Sequence, residues 1–311
     1  MAKNHSKSAY RIRHGKKWIL YRVLILFVVV SLCSALTVGI VNIAKKDKPD
    51  KNDLLQLWAD RSFDEVYTLS GEQLVQKPLD YFLLTIHGFA AFQIAIAQID
   101  NFSMLSYIDN CIWSLRKAFL SEGKTDGRLL YVLGKAYFYK GTSYSDLAVK
   151  YLQQALDSGY TETDIPEYLG MAYINIKDYR SSVAAFSQAL NSSAPSDTLL
   201  LSIAGSYTAL GDDDSAYAYL TRCVDVSKDS TTIFAARLSM GDILLKKGDF
   251  DGAEEQYTMV INDSGGNAEA YYRLGELYNQ RGETVKARAE WRRAVQIDPA
   301  NANARARLNL Q

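Results

Sequence analysis

One pattern limits what this chain can fold into: small residues and aromatics return at intervals of 34 to 37 positions. Gly275 stands 34 residues after Gly241, and Ala204 stands 34 after Gly170. The clearest copy, residues 268–299, holds Tyr271, Leu274, Gly275, Tyr278, Gly282, Ala287, Trp291, Ala294 and Pro299. The copy before it holds Met240, Gly241, Leu244, Gly248, Phe250, Ala253 and Tyr257. Ala204, Tyr207, Gly211, Ala216, Leu220 and Cys223 mark another, and Leu169, Gly170, Tyr173, Tyr179, Phe186 and Ala189 the next. Leu133, Gly134, Tyr137, Gly141, Ala148, Leu152 and Ala155 make the earliest of the five strong copies. Two divergent copies precede them. One starts near Tyr81, with Gly88, Ile112, Ala118 and an enlarged inter-helix region. The first covers Asp47 to Asp80, with Leu54, Phe63, Val66 and Pro78.

Within each copy the apolar residues fall at i, i+3, i+4 and i+7, the spacing of an amphipathic helix. Gly or Ala at the eighth place lets two helices approach closely, and the aromatic three residues later fills the space above it. Ala at the twentieth place is the contact on the second helix, and the large side chain four residues on packs into the next copy. The glycine between the helices supplies a left-handed cap, and the proline stops the second helix. One copy cannot bury its own apolar face, so stability rests on stacking against its neighbours. A helical bundle with chance periodicity would not keep five copies in phase.

The order Tyr-x2-Leu-Gly-x2-Tyr, then Gly, then Ala-x3-Trp-x2-Ala, then Pro, read in residues 268–299, resembles the tetratricopeptide repeat family. The resemblance covers roughly residues 47–301. It implies an all-α chain, a right-handed superhelical solenoid of about seven tetratricopeptide-like helix pairs; one N-terminal transmembrane helix is expected to precede it. The expected divisions are a basic tail (1–22), the transmembrane helix (23–44), a short linker running into repeat one (45–52), two divergent units (47–126), five units (127–301) and a capping helix (302–311).

The anchor is read from charge and hydropathy. Residues 23–44 carry no formal charge, and as a helix they would span roughly 33 Å, enough for a bilayer core. Trp18, Tyr21 and Arg22 stand at one end, and Lys45, Lys46 and Lys48 at the other. A cleaved signal peptide is the rival reading, although the apolar run exceeds the usual h-region and no clean Ala-x-Ala follows. Leu32 before Cys33 speaks against a lipoprotein site. Seven basic residues precede the run and four follow it, so the N-terminus is expected in the cytoplasm and the repeats in a periplasm or other exterior compartment. The residues after 51 balance to net negative, which argues against a nucleic-acid-binding body.

Nothing in the sequence points to catalysis, a cofactor or a metal. His5 and His14 lie in the tail. His87 reads as a packed histidine rather than a general base. No phosphate loop, zinc motif or nucleophile elbow occurs. Asp212-Asp213-Asp214 follows the inter-helix Gly211, where aspartates cap and solvate a turn. Cys111 and Cys223 suit small buried places, and one long-range disulfide between them is left open.

In proteins of this family, positions 2, 5, 9 and 12 of each first helix commonly face a concave groove. Carried over, these are Arg128, Tyr131, Lys135 and Phe138 in unit three, and Asp164, Glu167, Met171 and Ile174 in unit four. Unit six gives Leu238, Asp242 and Leu245; unit seven gives Tyr272, Glu276 and Asn279. The cations and aromatics of unit three suit a peptide carrying a carboxylate; the alternative is that these side chains only solvate the face. Family members that clamp chaperone C-termini use Lys and Asn here. Lys135 and Glu167 do not reproduce that set. The last unit reads as locally basic, through Arg281, Lys286, Arg288, Arg292, Arg293, Arg305 and Arg307.

The reading that follows is a membrane-anchored scaffold that recruits proteins or peptides through the groove and touches the membrane through residues 23–44. It binds no nucleic acid, and its oligomeric state is undetermined. The alternatives are an accessory protein for an uptake system, holding a small molecule in a pocket of Phe89, Phe92, Phe102, Tyr107 and Trp113, and a cytoplasm-facing regulator.

Overall fold

The computed structural model describes Ser31 and residues 49–122, 126–192 and 195–308. The tail 1–22 and, Ser31 apart, the expected span 23–44 lie outside the described residues. Among the described residues no helix is long and apolar enough to cross a membrane. These residues form helices and no strand. The first pair is α1 (Lys51–Ala59) with α2 (Phe63–Leu74), and the second is α3 (Tyr81–Ala97) with α4 (Asn101–Glu122). Then come α5 (Gly127–Lys140) with α6 (Ser145–Asp157), α7 (Ile165–Asn175) with α8 (Tyr179–Ser192), and α9 (Asp197–Leu210) with α10 (Asp213–Val226). The last pairs are α11 (Ser230–Lys247) with α12 (Phe250–Ser264) and α13 (Ala268–Gln280) with α14 (Thr284–Ile297), closed by the short α15 (Ala302–Arg307).

Each pair packs on itself, and its second helix packs on the next pair's first helix. The first helices also touch in sequence, α3 to α5, α5 to α7, and so on to α13. They therefore line the inner side of the stack.

The eighth-place glycines set how closely each pair packs. A Cβ built on Gly170 would come within 2.3 Å of the Phe186 ring, and one on Gly241 within 2.3 Å of the Tyr257 ring. In unit five, Ala204 takes this place, and it shares a core cluster with Leu220, smaller than those rings. Gly241→Ala therefore overpacks a site whose facing Tyr257 is fully buried. Overpacking of about 1–3 kcal/mol outweighs the helix gain of about 0.5–1 kcal/mol. A net loss of about 1–2 kcal/mol is expected, measurable by urea denaturation.

Turn chemistry repeats as well. Gly211 and Gly248 are left-handed caps, with the following amide returning to the helix (Asp212 N to Tyr207 O, 3.0 Å; Asp249 N to Leu244 O, 2.9 Å). Unit four has no glycine there; Lys177 adopts φ 62° and Asp178 N still reaches Tyr173 O at 2.9 Å. Gly141 departs from the expected left-handed cap. Its φ is 125° and ψ 171°, and the chain runs straight into a 3-10 turn at Thr142–Tyr144. In the aspartate run, Asp212 caps α10 through Ser215 N, while Asp213 and Asp214 pair with Lys246 (2.6 Å) and Lys247 (2.5 Å).

Two expectations are corrected here. The enlargement of unit two lies not between its helices but in them. Only residues 98–100 separate α3 from α4, and both helices are long. Nor do its aromatics enclose a pocket: Phe92 is buried, but Phe102 is 86% and Trp113 55% exposed. Cys111 and Cys223 are free thiols, each buried in a different unit.

His87 is a packed residue of α3. Its ring stacks on Tyr67 at 4.3 Å, and Nδ1 lies 3.0 Å from both Ser70 Oγ and the Tyr67 carbonyl. Burial holds its pKa below the ordinary 6.5, against the opposing pull of that carbonyl. The unfolded chain therefore takes up a proton that the folded chain refuses, and stability falls as pH drops through 6.5. His87→Gln should flatten the pH dependence of the melting temperature between about pH 7 and 5.

Candidate binding face on the inner helices

The inner face is richest where α3, α5 and α7 meet. These helices present their residues here because Gly88, Gly134 and Gly170 turn the opposite side of each helix onto its partner. Asp126 caps α5 through the Arg128 and Leu129 amides. That fixes the rotation which stacks Arg128, Tyr131, Lys135 and Phe138 along one stripe.

Lys135 sits at the centre. Its ammonium lies 2.9 Å from Asp164 and 3.0 Å from the Tyr131 hydroxyl. It also stands 4.5 Å from the Tyr168 ring centroid, 5.0 Å from Tyr131 and 5.8 Å from Phe92. The Tyr131 hydroxyl donates to both Asp164 oxygens, at 2.9 and 3.0 Å. Tyr139 and Tyr168 join hydroxyls at 3.0 Å, and Phe138 meets Tyr168 edge-on at 5.2 Å. Beside this cluster the Arg128 guanidinium lies 5.6 Å from the Phe89 ring, and Tyr160 leans on Tyr131.

Burial, then the Asp164 carboxylate, raises the pKa of Tyr131; burial, then the Tyr139 hydroxyl, raises that of Tyr168. The Tyr160 phenol is pushed up to about 12, mainly by burial. All three therefore stay protonated at neutral pH. The cluster is an aromatic box holding one cation and its own carboxylate. Among the described residues no group of metal-ligating side chains forms.

This geometry changes the expected role of Lys135. Its side chain is 13% exposed and already paired, so it is not open to an incoming carboxylate. Of the two cations carried over for unit three, Arg128 is the exposed one. Glu167 is half-buried at the start of α7. Met171 and Ile174 pack onto Phe186, Ala189, Leu199 and Ile203, where they serve the joint between units four and five.

The unit-seven positions lie apart from the box. Glu276 is held by Arg307 of α15 at 2.8 and 2.5 Å, Tyr272 is half-buried, and Asn279 is exposed. In unit six Leu238 is buried, Leu245 packs on the same core, and Asp242 accepts from Tyr257 and Arg273. The local basicity expected of the last unit is largely neutralised: Arg281 pairs with Glu254 and Asp251, Arg293 with Glu290, Lys286 with Glu283. Sequence reasoning missed Tyr139, Tyr160 and Tyr168. Tyr168 falls at the sixth place of its repeat, outside the positions carried over.

Models of the tetratricopeptide repeat match residues 238–302 and 169–194. The BBSome complex member BBS4 homolog of Drosophila melanogaster is 23% identical over 206 residues, 63% of this chain. The chain spans 41% of the length of that relative. Among solved structures, the C-terminal part of a tetratricopeptide repeat-containing protein from Cytophaga hutchinsonii superposes with a TM-score of 0.60 at 16% identity, covering 83% of this chain and 99% of that one. The protein pilF of Pseudomonas aeruginosa gives 0.51 at 14% identity, covering 71% and 96%. At these identities the likeness is one of fold. Repeat models, helix pairing and the 34-residue spacing of Gly241 and Gly275 agree: this chain carries tetratricopeptide repeats, stacked helices that indicate a protein-interaction scaffold.

Proposed function

We propose that the chain is a membrane-tethered scaffold that recruits a protein partner along the inner face of its repeats. Residues 23–44 form the tether in this reading, with the N-terminus cytoplasmic and the array, a right-handed superhelix, on the far side of the membrane. The observation that carries the recruiting role is the aromatic stripe of Phe89, Tyr131, Phe138 and Tyr168, half-buried on three successive inner helices, with Arg128 exposed at its rim. Half-buried rings with polar tips and one open cation suit an extended peptide with an acidic residue. A fully buried core would leave no ring surface to offer.

The test is crosslinking in membranes followed by capture of the full chain. A reproducible protein partner, reduced about tenfold by Arg128→Glu with Phe138→Ala, is expected. Capture of the same set by that variant sinks the assignment of the face. Protease protection of units six and seven in intact spheroplasts tests the compartment; digestion only after lysis of the inner membrane overturns the exterior placement.

A further inference from the structure

Where the chain enters the array is fixed. The Pro49 carbonyl accepts a hydrogen bond from Gln73 Nε2 at 2.8 Å, so residue 49 lies against the C-terminal end of α2. Only residues 45–48 separate Pro49 from the apolar run that ends at Ala44. Even fully extended, that connection reaches about 18 Å at most. If the run spans a bilayer, this end of units one and two stands at its surface.

The chemistry found there is that of a lipid interface. The loop between α2 and α3 exposes Val75 at 83% and Leu79 at 62%, with Lys77 between them. Beside it runs a cleft walled by Pro49, Lys51, Gln73, Gln76, Lys77 and Phe82. Two aspartates also line it, but both are engaged in capping: Asp50 accepts from the Asn52 and Asp53 amides, Asp80 from Leu83. Lys51 stands 4.6 Å over the Phe82 ring. Neither Lys51 nor Lys77 has an acidic partner among the described residues. An exposed apolar residue alone means little. Two of them interleaved with unpaired lysines, at the one edge a short tether holds to a bilayer, are the composition of an interfacial contact.

We infer that this edge rests on the membrane, with Val75 and Leu79 entering the headgroup region and Lys51 and Lys77 meeting lipid phosphates. The inference rests on the tether reading above. The opposite end of the second pair provides the contrast. Ile99 and Phe102 are exposed there too, but residues 96–104 hold no lysine or arginine, and the 17-residue α3 sets them about 25 Å away.

The experiment uses the full chain in vesicles of phosphatidylethanolamine and phosphatidylglycerol. In a Cys33→Ser background, Leu79→Cys or Ile99→Cys carries an environment-sensitive fluorophore; Cys111 and Cys223 are buried. Headgroup-level nitroxide lipids should quench the label at 79 about threefold more than the label at 99, and Lys51→Gln with Lys77→Gln should cut that excess by about half. Equal quenching at both positions, in a chain that resists alkaline carbonate, overturns this inference and leaves the tether standing. A chain stripped off by carbonate overturns the tether, and this inference with it.

Discussion

Phe186→Ala is expected to destabilise the fold by about 3–5 kcal/mol and to split its unfolding into two transitions. Phe186 is fully buried, covers Gly170, and joins Ala189 of its own unit to Leu199 and Ile203 of the next. Truncation leaves a void on a backbone that has no side chain at Gly170 to fill it. Units one to three share one large core, whereas units four to seven are linked by small clusters at each junction. Losing the joint between units four and five should therefore uncouple the two ends. Urea denaturation followed by hydrogen exchange reads the effect: α9 and α10 lose protection before α3 and α4. Phe186→Leu should recover more than half of the loss, because Leu115 over Gly88 and Leu152 over Gly134 already serve this role. A single transition at an unchanged midpoint for the alanine variant sinks the argument.

Lys135→Glu should cost about 2 kcal/mol and abolish partner capture. Breaking a fully buried ion pair costs about 3–5 kcal/mol. This one is screened on the Asp164 side, which is 37% exposed, so the lower figure applies. The variant sets two carboxylates together and withdraws the cation from three ring faces. Lys135→Met keeps the aliphatic stem against the rings and leaves Asp164 with the Tyr131 hydroxyl. It should melt nearer the parent and retain capture. Thermal unfolding and the crosslinking assay separate the two outcomes; equal loss in both variants would mean that the introduced carboxylate adds nothing to removal of the ammonium.

The repeat phase was legible because its causes are steric and local. A residue that must lie under a ring is small, and a residue that must turn left-handed is usually glycine. Lys177 shows the limit. The surrounding turn imposes φ 62° on a residue whose type gives no hint of it. The extent of α3 was not legible either. Its apolar residues continue past the usual end of a first helix with no Gly or Pro to stop them, so the surplus reads equally as loop or helix until the partner α4 is seen. At the binding face, the stripe Arg128, Tyr131, Lys135 and Phe138 follows from helical spacing. The carboxylate that neutralises Lys135 comes from 29 residues away, and the Tyr139–Tyr168 bond spans the same distance. Such pairings depend on how one helix pair is rotated against the next, which spacing within a helix does not encode.

The uneven distribution of core has a mechanical consequence. With one end broad and the remainder held joint by joint, bending compliance accumulates toward α15. Small angular play at each of the later junctions would add up along the arm. A ligand gripping only the box near α5 would meet a preset surface. One that also reached unit seven would have to arrest the swing of the arm, and its affinity would carry that entropic charge.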